Sequence, residues 1–176
     1  LSDVENADKL KLIESLGITL LQLNLSEEFQ IHNDSWPSHM FWYFIGPEAL
    51  LQQGHDYSCY IDADVYCNSK LELDWLKDIE MAARSDRDNE YNSGVVFFNN
   101  KKMEEKKLFE TALGVYRKFS TEEYLNWHGG KVHDQQVLTA LGEGNPFNEF
   151  WGGDNSFNIF NLDVTWNYPF QHMKGK

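Results

Sequence analysis

Two aspartates one residue apart, Asp62 and Asp64, follow directly on Tyr57-Ser58-Cys59-Tyr60-Ile61, a run that reads as a buried β-strand. Interior strands of α/β sheets are apolar, and ligands bind where such strands end at their carboxyl edge. Carboxylates this close repel each other and lose hydration on burial. A divalent cation with oxygen ligands is the most economical compensation. The plainer alternative is a strand that stops and two solvated loop acids. Near the other end of the chain, His172 offers neutral imidazole, a good ligand for Mn²⁺-class ions, although a lone histidine there is otherwise unremarkable.

Two further segments bear chemistry-capable residues. Asn92-Ser93-Gly94 precedes the apolar run Val95–Phe98. Asn and Ser supply donors and acceptors suited to hydroxyl groups, and Gly lets a backbone come close to a ligand. The same three residues also make an ordinary turn. Asp134 and Gln135 stand at the start of a short helix, where an aspartate can serve simply as a cap.

The elements that must position these residues alternate along the chain. Apolar positions at Val4, Leu10, Ile13 and Leu16 predict a helix over 3–16, closed by Gly17. Residues 18–25 read as a strand. Pro37 suits a first helical turn and Pro47 a second helix. Leu71, Leu73, Leu76 and Ile79 suggest a helix after the acids, and 84–90 a charged loop. Residues 101–119 read as one long helix with Leu108, Phe109, Ala112, Leu113 and Tyr116 inside, and 131–141 as a short one. Gly-, Asn- and aromatic-rich strand and loop follow. Strand–helix alternation of this kind predicts an α/β fold with a mostly parallel central sheet flanked by helices.

Composition fits that frame. The chain has 176 residues, 41% of them hydrophobic and 15% aromatic, enough for one domain with a real core. Its formal net charge of −13 argues against electrostatic binding of nucleic acid or an anionic membrane. An anionic substrate would need a local positive centre, which a metal ion supplies. No run of about 18 apolar residues occurs, so no segment of this chain reads as a membrane span. Cys59 and Cys67 read as buried free thiols rather than a disulfide framework.

In order, these blocks resemble a family. Asp62-Ala63-Asp64 after an apolar strand looks like the DxD motif of GT-A-fold glycosyltransferases of the glycogenin and lipopolysaccharide galactosyltransferase type. Phe41 to Leu50 looks like the helix before that motif. Asn92-Ser93-Gly94-Val95 is similar to the family's Asn-Ala/Ser-Gly block, and Asp134-Gln135-Gln136-Val137-Leu138 to its Asp-Gln-x-x-Leu block. His172 followed by Gly175 looks like the start of its terminal His-x-x-Gly-x-x-Lys-Pro-Trp motif, of which Lys176 leaves the end unmatched. The likeness covers roughly residues 36–176. In that family a nucleotide-binding strand precedes the first helix, and this chain is expected to begin after it, as a single Rossmann-like GT-A domain over residues 1–176.

The resemblance implies transfer of a sugar from a nucleoside-diphosphate sugar, UDP-linked by preference, to a hydroxyl of a glycan, glycoprotein or glycolipid. Asp62, Asp64 and His172 would hold Mn²⁺, with Mg²⁺ the second choice. Lys176 or Lys174 would approach the phosphates. Asn92, Ser93 and Gly94 would line the sugar site, and Asp134 and Gln135 would sit beside the anomeric carbon. Two rivals remain open at this level. A haloacid-dehalogenase-type phosphatase also places Asp-x-Asp after a strand, but Tyr66 stands where its Thr belongs, and Gly153-Asp154 lacks the second acid of its later block. A non-catalytic sugar-nucleotide-binding module is the other.

Overall fold

The structure, a computed structural model, describes residues 7–18, 38–65, 70, 73–85, 90–121, 132–142 and 157–163. The chain divides into two compact units, Leu1–Trp42 and Tyr43–Lys176. In the first unit, helix α1 spans Ala7–Ser15. It ends as the sequence predicts, with Gly17 at φ +74, a left-handed conformation that glycine adopts without strain. The predicted strand over 18–25 lies outside the described residues beyond Ile18.

The boundary falls inside a 3-10 turn, Ser38–Phe44. The second unit opens with helix α2, Gly46–Gln52, which has Pro47 in its first turn. Strand β1 follows at Tyr57–Ile61; read from the sequence as a buried strand, it is an edge strand with exposed ends and a half-buried middle. After the acids comes a 3-10 turn at Asp74–Asp78, then β2, Met81–Ser85, and β3, Tyr91–Asn99. Helices α3, Asn100–Glu105, and α4, Leu108–Phe119, come next, followed by α5, Asp134–Leu141. A short strand β4, Ile159–Asn161, completes the described elements.

The sheet order is β1-β3-β2-β4. β3 is antiparallel to both β1 and β2, while β2 and β4 are parallel. This corrects the expectation of a mostly parallel sheet: the described fold is α/β with a mixed sheet. Three strands run one way, but β3 lies between two of them. The physical reason is the short link over 86–90, which suffices for an antiparallel neighbour and is too short for a parallel crossover. β3 is the central strand, buried from Ser93 to Asn99, which explains its unbroken apolar run.

Three other expectations change. Among the described residues, the helix suggested by Leu71 to Ile79 is a 3-10 turn, and Arg84 and Ser85, read as loop, close β2. Met81-Ala82-Ala83 is fully buried between β3 and β4, so tertiary packing overrides its weak strand propensity. The single helix over 101–119 is broken at Lys107, whose φ of 53 is left-handed. Met103 and Leu108 are both buried. On one continuous helix, five residues apart, they would point about 140° away from each other. The break re-phases them onto one core.

One face of the sheet packs Leu76, Ala82, Val95, Phe97 and Leu162, with Cys59, Trp75 and Ile79 half-buried against them. The Trp75 ring meets Phe97 edge-on at 5.4 Å. α5 packs on β3 and on α4. The buried positions of α4, Leu108, Ala112, Leu113, Val115, Tyr116 and Phe119, recur at helical spacing.

Candidate functional site

Because β1, β2 and β4 share a direction, their carboxyl ends meet the amino end of β3 at one edge of the sheet. Asp62 and Asp64 stand there. The Asp62 N–H donates to the Gly94 carbonyl at 2.9 Å, extending the β1·β3 ladder by one rung. The Asp62 carbonyl accepts from the Val65 N–H at 3.0 Å, so the chain turns at once and both acids sit on a tight turn. Asp62 is half-buried and Asp64 exposed.

Asn92-Ser93-Gly94 lies within β3 rather than before it. The register against β2 jumps between Ala83, opposite Val96, and Arg84, opposite Asn92. Ser93, Gly94 and Val95 therefore bulge out of the ladder with β2 while Val95 stays opposite Ile61 of β1, a device that re-aims side chains beside functional sites. Gly94 is fully committed within the protein, its N–H donating to Asn92 Oδ1 at 2.9 Å and its carbonyl accepting from Asp62. Ser93 is buried, and its N–H donates to Gln135 Oε1 at 3.3 Å.

α5 delivers the third block. His133 occupies the cap position, and its N–H donates to Gln136 Oε1 at 2.9 Å, which starts the helix at Asp134. Asp134 is thus a first-turn residue, not the cap, and it is 5% exposed. Burial pushes its carboxyl above the ordinary range, and the nearby charge of Asp62 pushes the same way. The Ser93 hydroxyl and main-chain N–H groups of Gln135 and Asp134 pull against this. Desolvation wins.

Two tyrosines that the sequence reading did not single out complete the arrangement. The Tyr60 hydroxyl donates to Asp62 Oδ1 at 2.6 Å. The buried Tyr43 hydroxyl donates to the Asp134 carbonyl at 3.3 Å, and the two rings lie 4.9 Å apart. Burial raises the Tyr60 phenol, with the Asp62 hydrogen bond and the charges of Asp62, Asp134 and Asp64 adding to it. Three acids from two distant segments therefore act on a single hydroxyl. Strand alternation places Tyr60 on the same side as Asp62, a signal that was present in the sequence. Nothing local marks Tyr43, which is 91 residues from its partner.

The structure thus brings together Asp62, Asp64, Asn92, Ser93, Gly94, Asp134 and Gln135. His172, Lys174 and Lys176 lie outside the described residues, as do Cys67 and the tryptophans at 127, 151 and 166. Among the described residues, no group of three or more His, Cys, Asp or Glu side chains is gathered to hold a metal. The donor set present is a pair of carboxylates. Hard divalent cations are commonly held by one or two carboxylates together with substrate phosphates and water, so the pair fits such an ion. No described helix is long and apolar enough to cross a membrane.

Compared with known proteins, the chain matches no family model, no curated protein and no solved structure.

Proposed function

We propose that this protein is a metal-dependent glycosyltransferase that moves a sugar from a nucleoside-diphosphate sugar to an acceptor hydroxyl. The observation that supports it is the convergence of three sequence blocks, Asp62/Asp64, Asn92–Gly94 and Asp134/Gln135, at one edge of the sheet, with the Asp134 carboxyl hydrogen-bonded to Ser93 and within electrostatic reach of Asp62. That order and those residue types also underlie the family resemblance.

In this reading Asp62 and Asp64 hold Mn²⁺, or Mg²⁺ as the second choice, with His172 as a third ligand. When bound, the cation supplies charge stabilisation to the departing diphosphate. The protein's own groups do the rest. Ser93 and Gln135 form the polar wall against which the sugar lies, and Asp134 stands beside the anomeric carbon. Burial makes Asp134 a stronger base than a solvated aspartate, suited to taking the acceptor's proton in an inverting transfer. In a retaining transfer, Asp134 and Gln135 orient the sugar and shield the developing positive charge instead. The anomeric configuration of the product, followed by NMR, separates these two courses.

The test is a panel of nucleotide sugars screened for protection against thermal unfolding, with Mn²⁺ and with EDTA. A ligand at about one hundred times its dissociation constant stabilises the folded state by about 2.7 kcal/mol. For a chain of this size that corresponds to a rise in Tm of roughly 5–10 °C. A rise with Mn²⁺ that vanishes in EDTA is expected for at least one UDP-sugar. No shift with any of them would remove the donor from the proposal.

A further inference from the structure

We infer that Tyr60 is a positioning residue of the cation site, acting through Asp62 rather than on substrate or metal. The inference rests on the reading of Asp62 and Asp64 as the pair that holds the cation. An aspartate that is half-exposed on a turn rotates freely unless something fixes its carboxylate, and a ligand that rotates must be ordered when the metal arrives. The Tyr60 hydroxyl donates to Asp62 Oδ1 at 2.6 Å, in the range of short, charge-assisted O–H···O⁻ bonds. It is the one hydrogen bond this carboxylate receives among the described residues, so Oδ2 is left to meet a cation.

The donor is itself held. Tyr60 is a half-buried residue of β1, and its ring lies 4.9 Å from that of Tyr43. Tyr43 is buried, packs 6.3 Å from Phe98 of the central strand, and is anchored through its hydroxyl to the Asp134 carbonyl. The phenol therefore stands on a fixed ring while the carboxylate it grips lies beyond the end of the strand. Asp64, exposed on the same turn, receives no such bond among the described residues. The geometry divides the pair into a ligand set in advance and a ligand free to adjust. Outer partners that orient a metal ligand in this way are typically worth 10–100-fold in metal affinity.

The decisive variant is Tyr60→Phe, which removes the hydroxyl and keeps the ring stacked on Tyr43. Mn²⁺ is titrated calorimetrically into wild type and variant with UDP present, and Tm is measured separately in EDTA. Expected is a Kd for Mn²⁺ roughly 10–100-fold weaker with the EDTA Tm unchanged. Tyr43→Phe, which loosens the ring beneath Tyr60 but leaves the Tyr60 hydroxyl on Asp62, is expected to weaken Mn²⁺ binding far less than Tyr60→Phe does. Wild-type affinity in Tyr60→Phe overturns the inference while leaving the cation site standing. Equal weakening in both variants, or loss of EDTA stability in step with affinity, makes Tyr60 structural and also overturns it. Absence of Mn²⁺ binding in wild type removes the cation site itself, and the role of Tyr60 with it.

Discussion

Asp134 holds its carboxyl in the buried first turn of α5, where desolvation and the Asp62 charge raise its pKa above the ordinary carboxylate range. A raised carboxyl keeps its proton longer in the folded chain than in the unfolded one. The stability it contributes is complete below the ordinary carboxylate range and is lost as pH rises through the raised value. Asp134→Asn removes the charge and keeps an oxygen for Ser93, so the variant is predicted to be more stable than wild type at neutral pH. Its unfolding free energy should fall less steeply as pH rises from the ordinary carboxylate range through the raised value, while sugar transfer is lost. Urea unfolding of both proteins across that range is the check, and parallel curves would contradict the burial account. At this scale the sequence located the acids and amides that meet at the sheet edge, because residue type and position after a strand are local features. It was less informative about Tyr60 and Tyr43, whose roles depend on contacts that only the folded chain creates.

Among the elements, β1 is pinned at its far end by Asn100. This fully buried side chain accepts from the Ser58 hydroxyl at 2.7 Å and donates to the His55 carbonyl at 2.8 Å. Asn100→Ala leaves two polar groups without their partner and is predicted to cost about 2–3 kcal/mol, read by chemical denaturation. A change no larger than about 0.5 kcal/mol, the range of an ordinary surface substitution, would show that β1 is not fastened there. Glu80 makes a second fastening, its Oε2 accepting from Lys106 Nζ at 2.7 Å and from the Asn158 N–H at 2.9 Å. Both charged partners are partly exposed, so Glu80→Ala is predicted to cost a screened 1–2 kcal/mol or about that. Comparing it with Glu80→Gln, which keeps the acceptor, isolates the charge; equal losses in the two variants would mean that the charge does most of the work. Apolar patterning, or a Gly or Pro at an end, located α1, α2, β3 and α5, and β1 was located too, although it is a half-buried edge strand rather than a buried one. Patterning missed β2, whose Met81-Ala82-Ala83 has no strand signature apart from its neighbours. It also missed the left-handed break at Lys107, since no glycine marks it.

For the whole molecule, charge sets the terms. At a formal −13, the chain repels an anionic nucleotide unless something positive intervenes. Three acids gathered at one sheet edge sharpen that repulsion at the very place where the sugar donor is proposed to bind. The three chemical blocks were legible in the sequence, and the fold unites them through a route the sequence did not suggest, an antiparallel central strand with a bulge at Ser93–Val95. A cation at Asp62 and Asp64 is what would let such a nucleotide bind. UDP titrated calorimetrically into wild type and Asp64→Ala, each with Mn²⁺ and with EDTA, tests it most directly. Asp64 is exposed, so the substitution should leave the fold intact. The prediction is that UDP binds only wild type, and only with Mn²⁺; equal affinity in wild type and Asp64→Ala with Mn²⁺ would contradict it.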